Sequence, residues 1–159
     1  MGAWGAQIFE NDSASDFIYG LTKSDEKPLE TLIECFHNGI DNEYIESDEG
    51  SEIIIGALLV CGFNSRKFIV DKANNEISEY HKKPILDFLE KYQSKWDKDY
   101  KSKSYRENLP VEKLALNALS VVNSEKSESY ELWAETEYLE EWQTTIEKLA
   151  KELKSQLRN

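Results

Sequence analysis

Histidine and cysteine are nearly missing from this chain, with two of each in 159 residues. His37 and His81 stand far apart, and neither has Cys or Asp at ligand spacing, so the linear pattern assembles no zinc cluster. No pattern supports a Ser-His-Asp triad, and no Gly-rich loop follows a strand to cradle a phosphate. Cys35 and Cys61 fall in apolar stretches and read as buried thiols, not as a bridge or a redox pair. Seven glycines and three prolines are too few for a turn-rich sandwich or barrel, and favour long helices. Long apolar runs are lacking too. The longest, Ile53 to Phe63, includes Gly56 and Gly62 and has eleven residues, whereas a membrane span needs about 20. The opening residues lack the basic-then-apolar order of a secretory leader. Ala6 stands where myristoylation of Gly2 would want Ser or Thr. The expectation is a cytoplasmic chain with neither cofactor nor metal.

Basic charge is also short. Nineteen Lys and Arg face 31 Asp and Glu, a net charge of −12. Such a field repels nucleic acid and anionic membrane surfaces, so neither is an expected partner. It suits solubility, or docking to a basic protein surface. Nothing in the composition fixes the oligomeric state.

What is present is helical periodicity over a length that suits one domain, residues 1–159. Ala14, Phe17, Ile18 and Leu21 predict a first helix over Ser13–Lys23, with Ser13 and Asp16 approximating a capping box. Pro28 opens a second, striped by Leu29, Leu32, Ile33 and Phe36, and Asn38-Gly39 reads as its end. The segment Asp41 to Gly50 reads as an acidic loop with the Tyr44 ring tucked in. Ser51 then caps a third helix over Glu52–Phe63, apolar on all faces and therefore central. A buried strand over Ile53–Ile55 is its competing reading.

Residues 64–83 are poorly legible, although Phe68, Ile69 and Val70 must bury something. Pro84 starts a long amphipathic helix through Ile85, Leu86, Phe88, Leu89, Tyr92 and Trp96. Lys95 to Asn108 reads as a fraying end and mobile connector. Asn108 and Pro110 mark a further start, followed by Leu114, Ala115, Ala118, Leu119 and Val122. Ser127 precedes a short helix through Tyr130, Leu132 and Trp133. Leu139 to Leu157 stripe a last helix with a basic end. The fold class is all-α: a single-domain bundle of six or seven helices with an N-terminal arm packed on the core.

Two features suggest binding. The first is the acidic face of Asp41, Glu43, Glu46, Asp48 and Glu49, which lacks the residue order of a calcium loop and reads as solvated or as a receiver for a basic partner. The second is the set Trp133, Tyr138 and Trp142, interleaved with Glu131, Glu135, Glu137, Glu140 and Glu141. There the two tryptophans read as core, and Tyr138 is the candidate surface contact. At the amino end, Trp4 and Phe9 read as a plug, with Asn11 and Asp12 satisfying helix-start amides. The functional alternative sets Trp4, Glu10, Asn11 and Asp12 around a small polar pocket.

The opening Gly2-Ala3-Trp4-Gly5, with Ile8-Phe9-Glu10-Asn11-Asp12 and then Ala14, Asp16 and Phe17, resembles the bacterial family catalogued as domain of unknown function 4259. Its members commonly begin Met-Gly-x-Trp-Gly-x-x-x-Phe-(Glu/Asp)-Asn-Asp. Ala118-Leu119, Ser127-Glu128, Leu132-Trp133 and Trp142 are similar to its C-terminal elements, with a departure at Ser129, where leucine is usual. The resemblance covers about 110 positions and leaves residues 64–108 as a family-variable insertion. It implies a shared fold and no activity.

Three roles follow as expectations. The leading one is a non-catalytic module that binds a basic protein, a toxin immunity protein being its most concrete form. An enzyme or accessory subunit using clustered carboxylates is the second, and it requires a pocket where they converge. A self-associating structural domain is the third.

Overall fold

From Ile53 to Phe63 the chain has no polar face, and a helix of that kind must be surrounded. The computed structural model describes residues 12–23, 27–72, 79–101, 103–105 and 108–157, with side chains for 16–21, 27–71, 81–101, 103–105 and 108–157. In it, α3 (Ser47–Asn64) buries every residue from Ile53 through Phe63. Its neighbours are α1 (Asp12–Lys23), α2 (Pro28–Asp41), α4 (Glu79–Asp99), α5 (Val111–Val122), α6 (Glu128–Ala134) and α7 (Leu139–Leu157), all of which touch it. A π-helical turn, Phe68–Lys72, follows α3. Among the described residues these seven α-helices and one π-turn are joined by two isolated β-bridges, with no strand. The all-α bundle is the observed class, and helix, not strand, is the state of Ile53–Ile55.

The stripes read from the sequence meet in one core. Leu29, Leu32 and Phe36 of α2, Leu114, Ala115, Ala118 and Leu119 of α5, and Trp142, Ile146, Leu149 and Leu153 of α7 all pack around α3. Each fully buried Leu or Ile contributes roughly 1.5–3 kcal/mol. Trp142 is buried and Trp133 half-buried against the same core. Cys61 is buried and Cys35 half-buried, both as thiols.

Several boundaries differ from expectation. Helix α1 begins at Asp12, so Ser13 lies inside its first turn. Asn38-Gly39 does not stop α2, which continues to Asp41. Gly39 is a close-approach site instead: a Cβ there would stand 2.5 Å from Ile53 Cδ1. Helix α3 starts at Ser47, not at Glu52, because Glu46 and Glu49 form a reciprocal capping box. Helix α4 starts at Glu79, with Pro84 inside it. Phe68 and Ile69 are buried, as anticipated, while Val70 is exposed.

Residues 95–108 are not simply a polar connector. Trp96 is fully buried and Tyr100 nearly so. The rings of Phe63, Trp96, Tyr100 and Tyr105 stack in series, with centroids 4.8, 6.1 and 5.9 Å apart. Such pairs add about 0.5–1.5 kcal/mol each beyond burial. Tyr105 closes the buckle. Its hydroxyl donates to the Asp99 carbonyl at 2.6 Å, and its N–H donates to the Leu109 carbonyl at 3.0 Å. Asn108 makes the turn with φ of 62°, a left-handed conformation that Asn tolerates better than most residues.

Candidate functional site

The acidic segment is a folded corner pinned to α6. Ile45 is fully buried. Its N–H donates to the Lys126 carbonyl and its carbonyl accepts from the Glu128 N–H, both at 2.9 Å, forming a parallel bridge to Ser127. The Ser47 N–H donates to Glu128 Oε1 at 2.8 Å, so a carboxylate of α6 helps cap α3. Glu49 accepts from the Glu46 N–H at 3.2 Å and from Asn42 Nδ2 at 3.3 Å. Gly50 lets α6 close in: a Cβ there would stand 2.9 Å from Ser129 Oγ. Ser129 is buried at this contact, which favours a small side chain there.

This pinning places Ile45 inside and Tyr44 outside, the reverse of a tucked-in ring. Tyr44 is 47% exposed. Its phenol is pushed up by partial desolvation, then by a hydrogen bond to Glu131 and the charges of Glu131, Glu128 and Glu46. No Lys or Arg among the described residues pairs with Glu43, Glu46, Glu49, Glu128 or Glu131; ion pairs such as Lys27–Glu30, Lys83–Asp87 and Lys95–Asp99 lie elsewhere. The corner is an exposed aromatic flanked by Glu46, Glu128 and Glu131, which pair with no Lys or Arg among the described residues.

The expected site residues are therefore partly gathered. Asp41, Glu43, Glu46, Asp48 and Glu49 lie on one corner, at the end of α2, the linker and the start of α3. Tyr138 is half-exposed on the α6–α7 turn and makes no hydrogen bond or ring contact with that corner. Trp4, Glu10 and Asn11 lie outside the described residues, as does the arm expected to pack on the core. Of Asp12, only its backbone is described, as the first residue of α1.

Beside the corner is a feature that sequence reading missed. An open groove of about 460 Å³ runs between α1, α2 and α3, lined by Asp16, Phe17, Gly20, Leu21, Thr31, Asp48 and Glu52. Burial, then the charges of Asp48 and Glu49, push the Glu52 carboxyl up. Burial, then Glu52, pushes the nearby Cys35 thiol up as well, which keeps it protonated and unreactive. The only advance signal was that Asp48 and Glu52 are four residues apart, which is useful only once Asp48 is known to be helical.

The opposite end of α3 holds a second polar cluster, half-buried and built around the buried Glu112. Trp96 Nε1 donates to Asn64 Oδ1 at 3.1 Å. An indole N–H can only donate, so this contact fixes the orientation of the Asn64 amide. Asn64 Nδ2 then donates to Glu112 Oε2 at 2.8 Å and to Gln156 Oε1 at 3.0 Å. Gln156 Nε2 continues the chain to the Cys61 carbonyl at 3.0 Å and to Glu152 Oε2 at 3.1 Å. Glu112 is 1% exposed, and its Oε1 has no hydrogen-bond partner. Among the described residues, no group of three or more His, Cys, Asp or Glu could hold a metal ion, and no helix is long and apolar enough to cross a membrane.

The family model described as "Domain of unknown function (DUF4259)" matches residues 2–145 of this chain. No curated protein and no solved structure matches it.

Proposed function

The chain belongs to the DUF4259 family, and from that membership and the geometry of its acidic corner we propose that it is a non-catalytic, cytoplasmic module that binds a basic protein. The observation that carries this reading is the pinned corner itself. Tyr44 stands out of the surface with Glu46, Glu128 and Glu131 around it, and none of the three is neutralised by a Lys or Arg among the described residues. An aromatic with a polar tip, rimmed by one sign of charge on a rigid support, is suited to stack and pair with arginine or lysine. The net charge of −12 adds long-range steering toward a cationic partner. A toxin immunity protein is the most concrete form of this role.

The test is co-expression with the product of the gene adjacent to its own. The expected result is that the neighbour alone arrests growth, that this chain restores it, and that Glu128→Lys with Glu131→Lys abolishes the rescue. A neighbour that is harmless and forms no salt-sensitive complex with this chain overturns the proposal.

One observation favours the enzyme reading. Asp16, Asp48 and Glu52 share a groove, and the Glu52 carboxyl is raised. Against it, the described lining offers no histidine, cysteine, lysine or arginine to work with them. Hydrolytic or acid-base turnover lost in Glu52→Gln, with binding to the neighbour's product intact, would favour catalysis over docking.

A further inference from the structure

The groove between α1, α2 and α3 joins an apolar side to a carboxylate mouth. Leu21 is buried and Phe17 half-buried on α1. Gly20 between them contributes no side chain, and a Cβ added there meets nothing within 4 Å. On the facing wall Asp48 and Glu52 are one helical turn apart and share a face of α3, while Asp16 brings a third carboxylate from α1. The charges of Asp48 and Glu49 already act against ionisation of Glu52, so a cation entering here relieves repulsion as well as making contacts.

One occupant satisfies both halves: an aliphatic stem that ends in a positive charge. The stem lies along Phe17, above the buried Leu21, and the head lies among the carboxylates. Arginine fits better than lysine, because its planar fork can engage more than one carboxylate at once. A volume of about 460 Å³ holds one such side chain with the backbone that carries it.

We propose that this groove receives an arginine side chain of the partner, an inference that rests on the reading above that the partner is a basic protein. The groove adjoins the pinned corner through Asp48, so an arginine seated here and a cationic residue over Tyr44 can belong to one basic segment.

The test measures binding of a labelled nonaarginine peptide at low salt by fluorescence anisotropy. Gly20→Leu fills the groove without removing a charge and extends into open space. Glu52→Gln removes a charge inside it, and Glu137→Gln removes one on the exposed α6–α7 turn. Occupancy predicts roughly tenfold weaker binding for the first two and less than about twofold for the third. Wild-type affinity in Gly20→Leu overturns the groove and leaves the basic-partner reading standing. Failure of the wild type to bind the peptide at all overturns both. Should Gly20→Leu lose its helical circular dichroism, Thr31→Lys takes its place. That variant puts a cation into the groove from an exposed position on α2, and the same roughly tenfold loss is expected.

Discussion

The two ends of α3 carry the same kind of chemistry in opposite settings. At the amino end, Glu46, Glu49 and Glu128 are spent on backbone N–H groups, and the corner around Tyr44 faces solvent. At the carboxyl end, Asn64, Gln156 and Glu112 are joined amide to carboxylate beneath Trp96, and one oxygen of Glu112 goes unmatched. The amino end costs little to build, because water screens its charges. At the carboxyl end each amide is oriented by its neighbour, and Glu112 is too buried for water to replace a bond lost to it. The contrast separates an exposed, charged end from one whose bonding specifies the fold.

The sharpest way to break this contrast is Asn64→Ala. It strips the donor from a buried carboxylate and the acceptor from Trp96, so a loss of about 3–5 kcal/mol is expected in urea denaturation. A loss under about 1 kcal/mol would mean the network is not structural. Ile45→Ala tests the other end by removing the plug beneath the corner. It should cost about 2–4 kcal/mol and loosen the bridge to Ser127, which is read as faster hydrogen exchange at Ile45 and Glu128. Gly39→Ala forces its Cβ onto Ile53 and should lose about 1–2 kcal/mol, whereas the open site Gly20→Ala should gain about 0.5–1 kcal/mol; thermal melts of the pair check both signs.

The smallest effect is the most diagnostic in sign. The folded state holds the Glu52 proton more tightly than the unfolded chain does. Stability therefore declines as pH rises from the ordinary glutamate value of 4.5 through the raised one. Glu52→Gln should remove that decline and raise the melting temperature near neutral pH, with no gain in acid. Solvent screening holds the benefit to about 0.5 kcal/mol. A lower melting temperature near neutral pH would show that the Glu52 charge is stabilising.

Elements whose signals are local were legible in advance. The stripes of α2, α5 and α7, the short helix after Ser127 and the all-round apolar character of α3 follow from local pattern alone, and all stand in the structure. The family was legible from the Gly2–Phe17 opening. Misreadings arose where one residue type serves two purposes. Gly39 looks like a helix stop and is a packing gap; Glu46, Asp48 and Glu49 look like a solvated loop and cap or open α3. Pro84 looks like a helix start and sits inside α4. Tyr100 and Tyr105 look like polar connector, yet find partners through the stack that Phe63 begins. The acidic segment was visible as a site, but Glu128 and Glu131 reach it from α6 across some 80 positions of sequence, a pairing only tertiary structure reveals.

The unbroken apolar surface of α3 has a consequence during synthesis. When the ribosome has released Asn64, the helices that cover two of its sides, α5 and α7, have not yet been made. For nearly ninety further residues, until Leu153 emerges, Ile53–Phe63 is an adhesive segment without its wrapping, open to chaperones and to other nascent chains. Helix α7 completes the wrapping, so a chain cut before Leu139 should keep that segment exposed.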